Sequence, residues 1–519
     1  MRAWPGGLVP VTEGRHLVRG EKLVLDADVV VVGSGAGGAV IATELAEQGL
    51  DVVVLEEGGH TPPDVYAKLR PTDTMRRMGR EAWTTTALPI GDTPAIAVTM
   101  GRTVGGSSTM TGGVCYRIPA PIVDRWEREL GLQGYSARGM EPYFERVEKA
   151  MLVRDVPVSQ RSRSTTIFDE GITKLGHSLK PMRRNMTGCE GHSRCNFGCP
   201  VKAKLSVDIS YLPRARARGV RIYSDCLVER VTVRGNRASG VEGRVLNGHN
   251  GKRGERLTVN AKAVFVCAGT LHTPSVLRKT GVGRGRGVLG RGITLHPSFR
   301  VGALFDKEVN GWDGALQSAY SDGWEHEGIT LNSAYLPLNF LAATIPGVGK
   351  DYMRRIADVG KLAVFGVLVH DEAGGRLHRG PGREPWLTYR MDPRDKQRFV
   401  RGIHVLAEGW FAAGAKRVFL PIFGQAPIDS MDDMRKIDAK IPATHFESAS
   451  FHPLGSARMG IDERHSIVQP TGETWDLPGL WVADGSVFPS SIGVNSQLPI
   501  MAMATRTAAE FLARSRVNG

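Results

Sequence analysis

A chain of 519 residues is several times the size of one ordinary domain, so at least two packed cores are expected. With 41% hydrophobic and 23% charged residues it is neither a disordered nor a fibrous chain. The net charge of +14 is an excess of arginine scattered along the sequence rather than gathered into blocks, which argues against a nucleic-acid partner and suits an anionic cofactor or simple solubility.

The start, MRAWPGGLVPVTEGRHLVRG, has no apolar signal region and no twin-arginine pair, and no apolar run of about 18 residues occurs in the sequence. The expectation is a cytoplasmic protein without a transmembrane segment, in a reducing compartment where structural disulfides are not expected. After this polar arm, Asp28-Val29-Val30-Val31-Val32 is a β-branched run suited to a strand buried on both faces. It runs into GSGAGG, where Gly33, Gly35 and Gly38 make a G-x-G-x-x-G pattern. AVIATELAEQG then reads as a helix and DVVVLEEGG as a second strand. In such a βαβ unit the first glycine permits the turn, the second admits a pyrophosphate, and the third lets helix and strand pack closely. Glu56, at the end of the second strand, is placed to accept hydrogen bonds from ribose hydroxyls. The unit predicts a bound dinucleotide and does not by itself separate FAD from NAD.

Further along, GRTVGGSSTMTGGVCYR contains the turn Gly105-Gly106-Ser107-Ser108, whose N–H groups and hydroxyls can hold a phosphate or approach the edge of a planar ring system. VFVCAGTLHTPSVLRKTG supplies a strand, a small-residue turn and a helix. HEGITLNSAYLP and KLAVFGVLVH read as strands, and PRDKQRFVRGIHVLAEGWFAAGA as an amphipathic helix. Between those strands, Phe340, Leu341, Tyr352 and Met353 either cover a hydrophobic substrate or pack as core. The segments FHPLGSARMG and LWVADGSVFPSSIGVNSQLPIMAMATRTA follow near the end of the sequence.

Together with the βαβ unit, the segments at 101–117 and 269–283 and the two near the end resemble, in the same chain order, the glucose-methanol-choline (GMC) family of FAD-dependent oxidoreductases. Between about 300 and 440 the resemblance fades. It implies an α/β architecture: a Rossmann-like FAD-binding domain built from 1–125, 190–300 and 445–519, and a mixed α+β substrate domain at 300–444. Residues 126–189 would connect or cover them. Arg102, Gly106, Ser107, Val228 and Asp484 are then implied FAD contacts beside Gly33, Gly35, Gly38 and Glu56. Thr111 stands where the family usually has Asn or His, and Ser496 where it commonly has Pro.

Oxidising an alcohol removes a hydroxyl proton and a hydride from one carbon, which calls for a positioned base near a hydride acceptor. Neutral histidine can take that proton, and an amide can hold the oxygen without competing for it. His452 and Asn495 fall where the family carries its catalytic His and His-or-Asn pair. His445 and Glu447 are second candidates, or loop polar groups. The implied activity is base-assisted oxidation of a small-molecule CH–OH donor by FAD, with oxygen or another acceptor receiving the electrons. The alternatives are a cyanohydrin-cleaving lyase or a non-catalytic flavin-binding module on the same fold, and a nicotinamide dehydrogenase supported by the βαβ unit alone.

The segment CEGHSRCNFGCP gathers Cys189, Cys195 and Cys199 out of six cysteines. Its C-x5-C-x3-C spacing resembles the cluster-binding segment of GMC-related sugar dehydrogenases, which implies iron–sulfur ligands and an electron exit from the flavin. Structural thiols, zinc with His192 as fourth ligand, and a redox disulfide remain open readings of the same residues.

Overall fold

A computed structural model describes residues 8–17, 20, 22–247, 252–335, 338, 341, 342, 345, 348–380, 382–438 and 440–517. Its first sheet grows from the valine run. Val29, Val30, Val31 and Val32 are buried because β-branched side chains on both faces of a strand must be covered from both sides. The strand extends back to Leu23 and pairs in parallel with Val52–Leu55, Val29 opposite Val52, and with Lys252–Val266, Val29 opposite Ala263. Among the described residues this sheet has eight strands, in the order Thr12–Glu13, Arg221–Ser224, Val52–Leu55, Leu23–Val32, Lys252–Val266, Arg237–Asn247 and Cys226–Arg234. The eighth, Leu480–Val482, lies parallel to the end of Lys252–Val266 and brings the last part of the chain back to the first. Helix Ala36–Ala46 covers one face, and the final helix Gln497–Val517 packs on it.

The second sheet is mostly antiparallel. Ser298–Leu304 pairs with Leu362–Val369, which pairs with Ile329–Ser333. Pro393–Ala412, the helix expected from its amphipathic pattern, buries Phe399, Ile403, Leu406 and Trp410 against the sheet. Asp392 caps it by accepting from Arg394 N–H, with Pro393 at the first helical position where its missing N–H costs nothing.

The two cores draw on segments that chain position alone would assign otherwise. Thr86–Pro89 and Ile96–Val98 fall in the stretch expected to serve the cofactor domain, yet both pair in the second sheet, the latter beside Ser448–Ser450. Between 126 and 189, Trp126, Met140, Phe144 and Val147 join the first core, whereas Ile167, Phe168 and Ile172 join the second. These helices carry apolar faces too wide to remain a separate cover, and each face is buried against the nearer sheet. Among the described residues no helix is long and apolar enough to cross a membrane.

Candidate active site

A cavity of about 1000 Å³ lies where the two sheets meet. One end is walled by the glycine-rich turn, and here each glycine has a distinct steric reason. Gly33 has φ of 100°, and a Cβ there would lie 2.3 Å from Cys267 O. At Gly37 a Cβ would lie 1.8 Å from Ala483 O, and at Gly38 2.0 Å from Gly33 O, so the helix closes on the strand ends only without side chains. Gly35 differs: its Cβ would meet nothing nearer than Gly106 Cα at 3.8 Å, so the backbone there faces open cavity. Gly33, Gly35, Ala36 and Gly37 line that space, placing the N-terminus of an eleven-residue helix toward it. This arrangement suits a pyrophosphate.

Glu56 is buried beside the turn. Its Oε2 accepts from Ser34 N–H at 3.0 Å and Ser34 Oγ at 2.7 Å, and its Oε1 from Gly58 N–H at 2.7 Å. Burial pushes its carboxyl upward, opposed by these hydrogen bonds. Ser34 Oγ in turn accepts from Gly105 N–H at 3.0 Å, tying the first turn to Gly105-Gly106. Asp484 works similarly at the neighbouring crossover: it accepts from Gly269 N–H, Ser486 N–H and Thr273 Oγ. Val228 lines the cavity next to a register shift in the Cys226–Arg234 ladder. Ser107 also lines it, its Oγ accepting from Gly101 N–H. Arg102 is the exception, for it does not line the cavity and its guanidinium faces Glu81 at 3.6 Å.

His452 and Asn495 meet on the cavity wall. Asn495 Nδ2 lies 3.1 Å from His452 Nε2, a contact in which the amide donates and the imidazole accepts. That geometry makes Nε2 the lone-pair nitrogen and leaves Nδ1 buried without a partner among the described residues. Burial alone lowers the His452 pKa to about 4, so the ring is neutral at physiological pH.

The loop carrying Asn495 is held by a residue that the sequence did not single out. His296 is fully buried, and its Nε2 accepts from Ile492 N–H and Gly493 N–H, both at 3.3 Å, with Ser491 Oγ at 2.9 Å. Its ring centroid is 5.8 Å from that of His452. His296 has φ of 47°, unusual for a residue with a side chain, and Asp371 accepts its N–H at 2.9 Å and that of Leu295 at 2.8 Å. Tyr389 OH donates to the same carboxyl, whose pKa burial raises to about 7. His445 and Glu447 are exposed and stand off the cavity. Leu341 packs beside the wall residues Leu316 and Tyr335, whereas Tyr352 and Met353 sit on the outer helix Gly349–Ala357. Phe340 lies outside the described residues.

The cysteine segment packs behind the cavity turn. All six cysteines are free thiols, and among the described residues no three His, Cys, Asp or Glu side chains are arranged to hold a metal ion. His192 pairs with Glu190 instead. Cys195 Sγ accepts from the fully buried Arg184 at 3.1 Å, and Cys195 O accepts from Lys204 Nζ at 2.9 Å. Lys204, also buried, donates as well to the carbonyls of Ser108, Thr109 and Thr111, and burial brings its pKa down to about 8. The segment thus braces the turn that lines the cavity, a structural use of thiols and cations that the spacing alone did not separate from a metal site.

Models of the GMC oxidoreductase family match residues 27–298 and 376–504. A GMC-type oxidoreductase of Mycobacterium tuberculosis is 36% identical over 492 residues, covering 95% of this chain and 76% of its own. A long-chain-alcohol oxidase of Arabidopsis thaliana is 26% identical, covering 95% of this chain and 67% of its own. Pyridoxine 4-oxidase from Mesorbium loti superposes with a TM-score of 0.70 at 19% identity, covering 94% of this chain and 99% of its own. A formate oxidase variant of Aspergillus oryzae gives 0.74 at 16%, with 96% and 100% covered, so the fold is shared where the sequence has diverged. With its glycine turn, its two core sheets and both family models in register, the chain belongs to the GMC oxidoreductase family.

Proposed function

We propose that this protein is an FAD-dependent oxidoreductase that oxidises a CH–OH group to a carbonyl. The observation that carries this reading is the 3.1 Å contact between Asn495 Nδ2 and neutral His452 Nε2 inside the cavity whose far end carries the glycine turn. FAD, when bound, supplies the acceptor for the substrate hydride. Gly33, Gly35 and the start of helix Ala36–Ala46 would hold its pyrophosphate, Glu56 its ribose and Val228 its adenine side, with Gly106, Ser107 and Asp484 nearby. When substrate enters, the Asn495 amide donates to the substrate oxygen in place of His452 Nε2, which frees the Nε2 lone pair to take the hydroxyl proton. A ring kept neutral by burial is ready to accept without first losing a proton.

Alcohol oxidation is supported further by the name of the Arabidopsis relative, a long-chain-alcohol oxidase. Anaerobic addition of alcohols to the flavin-loaded protein tests the reading. Bleaching of the flavin with one carbonyl formed per flavin reduced is expected, whereas a flavin that stays oxidised while a cyanohydrin is cleaved would establish the lyase instead.

A further inference from the structure

Arg300 lies on the strand Ser298–Leu304 and lines the cavity. Its Nε is buried without a partner, and its guanidinium makes no hydrogen bond or ion pair with any described residue. Three of the other arginines lining the cavity are paired, Arg80 with Glu57 and Glu384, Arg383 with Glu57, and Arg230 with Glu242. The side chain is half-buried, with Nε shut off from water and the rest of the guanidinium facing the cavity, and a charge held there is stabilised by an anion. At Arg300 burial lowers the pKa and no carboxylate opposes it.

The strands around Arg300 leave room for such an anion. Arg300 is registered opposite Gly366 on Leu362–Val369, and Gly366 opposite Asn332 on Ile329–Ser333, so the three share one face of the sheet and all line the cavity. Gly366 projects nothing between its neighbours; a Cβ there would stand 3.6 Å from Arg300 Cγ. Asn332, on the far side of the gap, donates Nδ2 to Thr330 O at 3.4 Å and gives the gap no donor, so the contact to an anion falls to Arg300. Ser298, two residues from Arg300 and on the same face, pairs with Ala449, which leads through Ser450 to His452. Along the backbone Arg300 stands four residues from His296, the neighbour of His452. The glycine turn and Glu56 belong to the other sheet, so the anion site is distinct from the pyrophosphate site.

We infer that Arg300, with the gap over Gly366, is a subsite for a carboxylate at the end of the substrate remote from the reacting alcohol, making the substrate class hydroxy carboxylates. The planar guanidinium fork matches a carboxylate in a two-point contact. This inference rests on the proposed alcohol oxidation for the identity of the reacting end.

The test uses ω-hydroxy carboxylates of increasing chain length, each paired with the 1-alcohol of the same length, on flavin-loaded wild type, Arg300→Met and Arg300→Lys. For at least one length, wild type should favour the carboxylate in kcat/KM by about 10- to 100-fold, the equivalent of one charge-assisted contact. Arg300→Met should erase that preference through KM while leaving the neutral alcohol within about threefold and flavin content unchanged. Arg300→Lys should retain part of it and guards against a folding defect in the first variant. Independently of turnover, straight-chain carboxylates lacking the hydroxyl should bind the wild-type holoprotein in calorimetry and bind Arg300→Met at least about tenfold more weakly. Equal handling of both members of every pair, equal losses for both in Arg300→Met, or carboxylate binding indifferent to the substitution would overturn the inference. If no alcohol bleaches the flavin, the proposed oxidation fails, and calorimetry still decides the carboxylate site.

Discussion

The two ends of the cavity differ in how their charged side chains are held. At the glycine end, Glu56 and Asp484 each accept three hydrogen bonds from the protein, and Lys204 donates to four carbonyls behind the adjoining turn. That end is shaped in advance, as a fixed cofactor site requires. At the sheet end, Arg300 Nε and Asn332 Oδ1 are buried without partners. A buried donor without a partner is costly, so the retained Arg300 Nε points to a ligand that supplies an acceptor. His452 and Asn495 stand between the two regimes, paired with each other yet open to the cavity.

If the glycine end is prebuilt, crowding it should be the most damaging change. Gly37→Val introduces atoms beyond a Cβ already 1.8 Å from Ala483 O, forcing the helix off the Ala483-Asp484 crossover. FAD affinity should fall more than about 100-fold, measured by flavin retained on gel filtration, with a stability loss of about 3 kcal/mol in denaturant titration. A variant that loads normally would show that this end adapts. Lys204→Met should come next: four carbonyls lose their donor and Cys195 its brace, so the protein should lose about 2–3 kcal/mol of stability and part of its flavin affinity. At the sheet end, Arg300→Met should cost about 10- to 100-fold, and only for substrates bearing the anion, with no effect on flavin content.

The smallest effect concerns pH and the residues between the two ends. Burial disfavours the imidazolium, so His452 stays a competent base as pH falls below its ordinary value of 6.5 and is lost only near its lowered pKa of about 4. The acid limb of kcat/KM for a neutral alcohol should therefore lie near pH 4. A limb near 6.5 in a protein that remains folded would mean that the base is not shielded as described.

Legibility in the sequence followed the same division. The glycine turn, Glu56 and the helix Ala36–Ala46 were readable because their chemistry is local, set by spacing within about thirty residues of chain. His452 and Asn495, singled out through short flanking segments that resemble a family, come together on the cavity wall. Ser34 lay in plain view within G-x-G, yet its bond to Glu56 depends on the strand register. Lys204, His296 and Arg300 left no local signal, because their roles arise across long separations. Lys204 reaches Ser108 over 96 residues and His296 receives Ile492 N–H over 196. Arg300 depends on the register of three antiparallel strands, where a shift of one residue would turn it to the other face. The cysteine spacing left structural thiols, an iron–sulfur cluster, zinc and a disulfide open together, because the contacts of Arg184 and Lys204 with Cys195 arise only in the fold.

The central claim is that His452 removes the substrate proton beside the flavin, and single-turnover flavin reduction tests it most directly. Wild type and His452→Ala, matched for FAD content, are mixed anaerobically with the same alcohol. The account predicts rapid bleaching in wild type and a rate about 10²- to 10⁴-fold lower in the variant. Equal rates in the two proteins would contradict it.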